Sequence, residues 1–430
     1  MDLITLTEKE FTDFTSNHEQ ATFLNTVNWG KLKETNGWKY ELLGFKDNDK
    51  VIAAMLLLSK NTPIKKKMFY APRGFILDYH NKELVKEFTL KAKKYVKEHN
   101  GIFLKIDPYV MHKQRDIDGK VVEGGIDNSD IKKYIESLGF KEQCSKPGQQ
   151  SLQAKWLYWI PLKNKTVDDI LMGMNREKRR IIKNNKTNGI VVREGTYDEL
   201  DEFKKIMDHT SERREFINRS LAYYQNMYKA FGDGKYLKLY FTELMIEEKL
   251  NEFKNELPGM QKDYYDLEEG HKNGTRTITE KKLEEKHQEL IKFEQKIEKY
   301  EQLFKEHGPK LTLGGLLCFT YGKEVLAFAG GSYDKYMEFQ SSYSMYFEMI
   351  EYAINNGYDY YNFYGISSDL TEKDPMYGVY LFKKGFGGEV VELLGEYDLK
   401  VSGFYYFIYK TSYFIVHKLK KLKTKLHRKK

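Results

Sequence analysis

The segment Ser341–Tyr364 reads SSYSMYFEMIEYAINNGYDYYNFY, and its pattern sets the fold. Tyr346, Met349, Ile350 and Ala353 recur on one side of a helix spanning Ser341–Asn355. Asn356-Gly357 stops that helix, since Asn and Gly tolerate the left-handed backbone of a helix end. Tyr358–Tyr364 is then an aromatic-rich, buried strand closed by Gly365. Upstream, Leu313–Thr320 and Val325–Gly330 form a hairpin around Tyr321-Gly322-Lys323.

The same order occurs earlier in the chain. Tyr40–Phe45 and Val51–Leu58 are strands joined by a polar connection over Lys46–Lys50, and Met68–Ala71 adds a short strand before Pro72-Arg73-Gly74. Lys82–His99 places Leu84, Phe88, Ala92 and Tyr95 or Val96 at helical spacing. Asn100-Gly101 ends it, and the strand Ile102–Ile106 runs to Asp107-Pro108. Hairpin, helix, Asn-Gly and strand therefore appear twice. This predicts a mixed α/β (α+β) chain built from one duplicated unit, with the cleft between copies as its ligand site. Two unrelated ββαβ runs would give the same pattern.

Between the copies, Gln153–Leu162 reads as a strand and Val167–Asn185 as one helix rich in cations: Arg176, Lys178, Arg179, Arg180 and Lys183. Those charges suit either phosphates or a solvated face. Glu8–Ser16, Asn28–Glu34, Leu200–Thr210 and Ser220–Phe231 are further helices. Lys249–His307 is different. Leu250, Leu257 and Tyr264 repeat every seven residues, as do Phe253, Met260 and Leu267. Leu283, Leu290, Ile297 and Phe304 do likewise on the far side of a turn at Glu269–Gly274, with Phe293 and Tyr300 three positions after Leu290 and Ile297. A narrow seven-residue seam among Glu and Lys predicts an antiparallel coiled-coil hairpin inserted in the second unit. Thr277 with Glu280 forms its capping box, Gly308-Pro309 ends it, and Pro258 kinks or breaks its first helix. The predicted boundaries are 1–152 and 153–400 for the two units, 243–308 for the hairpin and 401–430 for a basic tail.

At 430 residues the chain can hold two or three cored domains. Cys144 and Cys318 offer neither a disulfide framework nor zinc spacing, which fits a reducing cytoplasmic compartment. No secretory leader pattern opens the sequence and no apolar run is long enough to span a bilayer. The net charge of +8 resides at the end: ten Lys and Arg follow Asp398 with no acid among them, leaving the rest at −2. Phe404–Leu426, aromatic first and then Leu among Lys, is a basic amphipathic helix suited to an anionic inner-leaflet membrane surface, or a terminal helix packed on the body.

HExxH, GxSxG, Walker and GxGxxG patterns are all absent, and the histidines are scattered, so no metal or cofactor is implied. A strand, a polar loop over Ile366–Pro375 and a helix over Met376–Lys384 would bring Lys383 and Lys384 to a sheet edge as an anion site; helix-end charges completing the dipole are the alternative.

Several stretches then converge. Trp29-Gly30-Lys31-Leu32-Lys33, Ala71-Pro72-Arg73-Gly74-Phe75, Lys105-Ile106-Asp107-Pro108 and Asn175-Arg176 come first. Arg219 with Tyr223, Tyr361-Asn362-Phe363-Tyr364-Gly365 and Phe382-Lys383-Lys384-Gly385-Phe386 follow. In this order, with the helical arm, the chain resembles the FemABX aminoacyltransferases over nearly its whole length. The resemblance implies two acyl-N-acyltransferase-like (GNAT-like) subdomains and a coiled-coil arm. It implies transfer from aminoacyl-tRNA to an amine of a peptidoglycan precursor, either lipid II or the soluble UDP-MurNAc-pentapeptide. It makes Lys383, with Phe382, catalytic, and Lys33, Arg219, Tyr223 and Tyr364 substrate-binding. Arg176, Arg179, Arg180 and Lys183 become tRNA contacts. The sequence departs from the family at Ala327 and Phe328, where tyrosines are common. The rival readings are an acetyl-CoA-dependent N-acetyltransferase and a non-enzymatic tRNA- or membrane-binding protein.

Overall fold

The computed structural model describes residues 1–143, 151–232 and 234–412. Its first part runs β1 (Ile4–Thr5), α1 (Glu8–Thr15), α2 (Val27–Glu34), β2 (Lys39–Asp47), β3 (Lys50–Asn61), β4 (Lys67–Ala71), α3 (Lys82–Glu98) and β5 (Gly101–Ile106). Then come β6 (Met111–Gln114), α4 (Ser129–Ser137), β7 (Phe140–Gln143), β8 (Trp156–Pro161), α5 (Val167–Gly173), α6 (Arg176–Thr187), β9 (Ile190–Gly195), α7 (Leu200–Arg214) and α8 (Leu221–Ala230). The last part is β10 (Leu237–Met245), α9 (Ile246–Lys272), α10 (Glu280–His307), β11 (Lys310–Tyr321), β12 (Glu324–Ser332), α11 (Ser342–Asn355), β13 (Tyr360–Gly365), α12 (Tyr377–Lys384), β14 (Glu389–Leu393) and β15 (Glu396–Lys400).

The strands form two sheets, ordered β1-β2-β3-β4-β5-β15-β7 and β9-β10-β11-β12-β13-β8-β14-β6. In each, three antiparallel strands lead through one helix to a parallel fourth: β2-β3-β4, α3, β5 in the first and β10-β11-β12, α11, β13 in the second. The repeating unit is thus one strand longer than the sequence pattern, which passes over Leu237–Met245. The reason is that the helical arm separates β10 from its partner β11. The division at residue 152 also fails to follow the sheets. Strand β15 pairs with β5 and β7 of the first sheet, and β6 pairs with β14 of the second. Leu394-Gly395, with Gly395 at φ 103°, carries the chain from one sheet to the other. Exchange of this kind covers edges that would otherwise present open hydrogen-bonding groups.

The predicted helix Val167–Asn185 is two helices. Met174 is extended, and the Asn175 side chain caps α6 by accepting from the Glu177 amide at 2.9 Å. The arm consists of α9 and α10, packed together through Phe253 against Phe293 and Tyr300, and Tyr264 stacked on His287. Helix α9 continues through Pro258 to Lys272, so of the predicted turn Glu269–Gly274 only Asn273 and Gly274 lie outside the helix. Thr279, not Thr277, caps α10. Of the predicted seam, Leu250, Phe253, Leu290, Ile297 and Tyr300 are buried while Phe304 is exposed; the Tyr300 hydroxyl donates to the Asn188 carbonyl at 2.7 Å, rooting the arm in the body.

Residues 403–412 are helical. Tyr406 is buried against Ile102 and Phe103, and its hydroxyl donates to Asp398 at 2.7 Å. The rest of the predicted tail helix, 413–430, lies outside the described residues, as does Cys144. No helix among the described residues is long and apolar enough to cross a membrane.

Candidate active site

A cleft of about 380 Å³ lies where the first and second units meet. Helix α2, started by Thr26 whose hydroxyl accepts from the Trp29 amide at 3.1 Å, supplies one wall. Trp29 and Lys33 are one turn apart on it, and the Lys33 ammonium sits 4.1 Å from the Trp29 ring centroid. Arg219 enters from the other unit, just ahead of α8. Ser220 caps that helix, and the Arg219 guanidinium lies 4.9 Å over the Tyr223 ring. Trp38, Tyr70, Gln153, Asn218, Phe328 and Tyr364 are among the residues that line it. Burial first, and then the neighbouring positive charges of Arg219 and Lys60, bring the Lys33 pKa down to about 8. Among the described residues neither Lys33 nor Arg219 is in an ion pair. Two cations that repel each other in a half-closed groove lined with aromatics have the charge and geometry to hold an anion.

Tyr223 stands behind Arg219 rather than on the cleft wall, buried and with no hydrogen-bond partner for its hydroxyl. Tyr364 is at the cleft, donating to Gln153 at 2.7 Å. Its backbone is left-handed (φ 66°), an uncommon state for a bulky side chain, and the Asn362 side chain holds it by accepting from the Tyr364 amide at 2.8 Å.

Lys383 is beneath this turn. It is buried, and its ammonium donates to the Gly365 carbonyl at 2.6 Å and the Tyr364 carbonyl at 3.4 Å. Desolvation pulls its pKa down to about 7. Lys384 bonds Asp118 instead, at 2.5 Å. The two lysines therefore do not form the paired anion site expected at the sheet edge. One props the strained turn and the other is in a salt bridge. Phe382 packs with Tyr343 and Tyr346.

Under the cleft runs a buried polar seam. The Arg73 amide donates to Asp107 at 2.7 Å, Tyr70 donates to the same carboxylate at 3.1 Å, and the Arg73 guanidinium reaches the Ala154 carbonyl at 3.2 Å. Burial raises the Asp107 pKa to about 7 against the opposing charge of Arg73. Across the seam, Glu324 accepts from Tyr109 at 2.7 Å and Asn362 at 2.8 Å. Tyr109 of the first unit and Glu324 of the second thereby fix the position of Asn362, and through it Tyr364.

Arg176, Arg179, Arg180 and Lys183 stand on α6, away from the cleft. Arg179 and Lys183 line a separate, larger groove with Met172, Ile182 and Phe347. The start of α6 is nonetheless tied to the Lys383 region, since the Asn175 amide donates to the Gly385 carbonyl at 3.1 Å. Among the described residues no cluster of His, Cys, Asp and Glu could hold a metal ion.

The FemAB family profile matches residues 6–413.

The chain belongs to the FemAB family.

It is 35% identical to aminoacyltransferase FemA of Staphylococcus epidermidis over 428 residues, covering 98% of this chain and 100% of that protein. It is 35% identical to FemA of Staphylococcus aureus (strain N315) over 402 residues, covering 92% and 94%. A crystal structure of FemX superposes with a TM-score of 0.77 at 25% identity, covering 95% of this chain and 99% of that one. As a FemAB protein, the chain is an aminoacyltransferase.

Sequence reading marked Lys33, Arg219, Tyr223, Tyr364, Phe382 and Lys383 from the FemABX resemblance; the fold brings the first four to one cleft and its backing, with Lys383 one layer below. It missed Trp38, Gln153 and Asn218 as cleft residues. Asn218, whose side chain accepts from Tyr224 at 2.8 Å, carried only the weak signal of adjoining Arg219. Phe328, the departure from the family tyrosines, does line the cleft, without a hydroxyl.

Proposed function

We propose that this aminoacyltransferase moves an amino acid from aminoacyl-tRNA to an amine of the stem peptide or growing bridge of a peptidoglycan precursor. The observation that carries the reading is the unpaired Lys33–Arg219 couple in a cleft rimmed by Trp29, Trp38 and Tyr364. Fixed cations beside flat aromatic faces suit a phosphorylated sugar or nucleotide carrier. The acceptor's phosphates would bind there, directing its peptide along the cleft.

The chemistry needs little more than alignment and charge stabilisation. The neutral amine attacks the ester carbonyl and the carbon–oxygen bond to the ribose breaks. The amine's proton goes to the departing ribose oxygen, directly or through water. Lys383 acts as a positioning residue: it fixes the Tyr364–Gly365 turn that borders the reacting centre, and its proximity to the start of α6 links that turn to the helix read as the tRNA contact. Arg176, Arg179, Arg180 and Lys183 would bind tRNA phosphates in a salt-sensitive manner.

The test supplies charged tRNAs one at a time with UDP-MurNAc-pentapeptide or its lipid-linked counterpart and weighs the product. Addition of one residue mass, with release of uncharged tRNA, is expected. No mass change with any charged tRNA, or a gain of an acetyl group when acetyl-CoA is supplied instead, would overturn the reading.

A further inference from the structure

We propose that helix 403–412 and the turn between β3 and β4 form a face that docks on an anionic lipid bilayer. The inference extends the reading above by naming where the enzyme works, and it can be measured without turnover.

The helix has two unlike sides. Tyr405, Tyr406 and Tyr409 pack on Ile102, Phe103 and Met68 of the first sheet and on Ile64 of the β3–β4 turn. Phe404 and Phe407, one turn apart on the other side, are 70% and 71% exposed. A folded body has no internal use for two adjacent bare phenylalanines, and their benefit comes only from a second apolar phase.

Charge identifies that phase. Lys65, Lys66 and Lys67 are consecutive where β3 turns into β4, and the Lys66 ammonium lies 4.7 Å over the Tyr405 ring of the same helix. None of the three is in an ion pair among the described residues. Immediately after the helix, the chain continues through Tyr413-Phe414-Ile415-Val416 into eight Lys and Arg with no acid before residue 430. Bare aromatics beside a run of cations match the layered chemistry of an anionic bilayer: phosphate at the surface and hydrocarbon just below. A polyanion without an apolar layer, such as RNA, would draw on the lysines but leave the phenylalanines without purpose.

The experiment is flotation of the full-length protein with vesicles of phosphatidylcholine alone or with phosphatidylglycerol added. Binding to the anionic vesicles only is expected. Phe404→Ser with Phe407→Ser should weaken it about tenfold or more. Lys65→Glu with Lys67→Glu should weaken it as well and flatten its salt dependence. Both pairs are exposed or nearly so, and an unchanged melting temperature confirms folding. Wild-type protein that ignores anionic vesicles, or a Phe404→Ser/Phe407→Ser variant that binds them like wild type, overturns the proposal. So does a variant that loses binding to uncharged tRNA but not to vesicles, because the face would then be an RNA surface. Transfer to the soluble nucleotide-linked acceptor should be unaffected by the phenylalanine changes. Failure of the transfer reading would instead show as no product from either acceptor, whatever the vesicles do.

Discussion

Replacing Lys33 with Met should make the unliganded protein more stable and its acceptor binding weaker. In the free protein the ammonium is held in a half-buried groove beside Arg219, and its pKa falls from 10.5 to about 8. At 1.36 kcal/mol per pKa unit, that corresponds to roughly 3 kcal/mol against the charged form. Residual solvent contact and the lost cation–π contact with Trp29 reduce the expected net gain to about 1–2 kcal/mol. The sign with pH follows from the direction of the shift. Below about pH 8 the lysine is charged in both folded and unfolded chains, so the folded state bears the whole cost. Between about 8 and 10.5 the folded protein sheds the proton first, and the cost fades. Urea unfolding of wild type and Lys33→Met should therefore differ most at neutral pH and converge toward alkaline pH. Titration calorimetry with UDP-MurNAc-pentapeptide should show the opposite ranking, with Lys33→Met binding weaker by about 2 kcal/mol. Wild-type affinity should itself decline as pH rises through 8, where Lys33 loses its proton. A variant that is less stable than wild type and binds the precursor equally well would refute the reasoning, because Lys33 would then be a structural group.

Lys383→Met should fold, since methionine matches the buried stem, yet lower single-turnover transfer about a hundredfold by releasing the Tyr364–Gly365 turn from its fixed position; an unchanged rate would remove Lys383 from the mechanism. Triple charge reversal at Arg179, Arg180 and Lys183 should weaken tRNA binding and lower its logarithmic salt slope by about 2–3, read by filter binding across a salt series; an unchanged slope would place the RNA elsewhere. Asp107→Asn leaves the buried Arg73 guanidinium without its carboxylate and should cost about 3 kcal/mol or more in urea unfolding, against little change if the pair is incidental.

Much of the architecture was legible because its signals are local. The three-to-four-residue recurrence in Ser341–Asn355, the Asn-Gly stops and the seven-residue seam of the arm each arise from contacts between near neighbours, so they are written in consecutive residues. The resemblance to the FemABX aminoacyltransferases named Lys33, Arg219 and Lys383 without saying what surrounds them. Boundaries were weaker where a single capping side chain decides, as at Asn175 and Thr279.

The sequence by itself determined the repeated strand–helix–strand units, the helical arm inserted in the second of them, and the concentration of positive charge after Asp398. Only the tertiary structure decided that β6 and β15 trade sheets, that Lys33 and Arg219 face one groove without a carboxylate, and that Lys383 lies under Tyr364 instead of beside Lys384. The division has a physical cause. Periodicity and capping depend on residues a few positions away, whereas the partner of an edge strand and the environment of a charge depend on segments hundreds of residues apart, which no local pattern records.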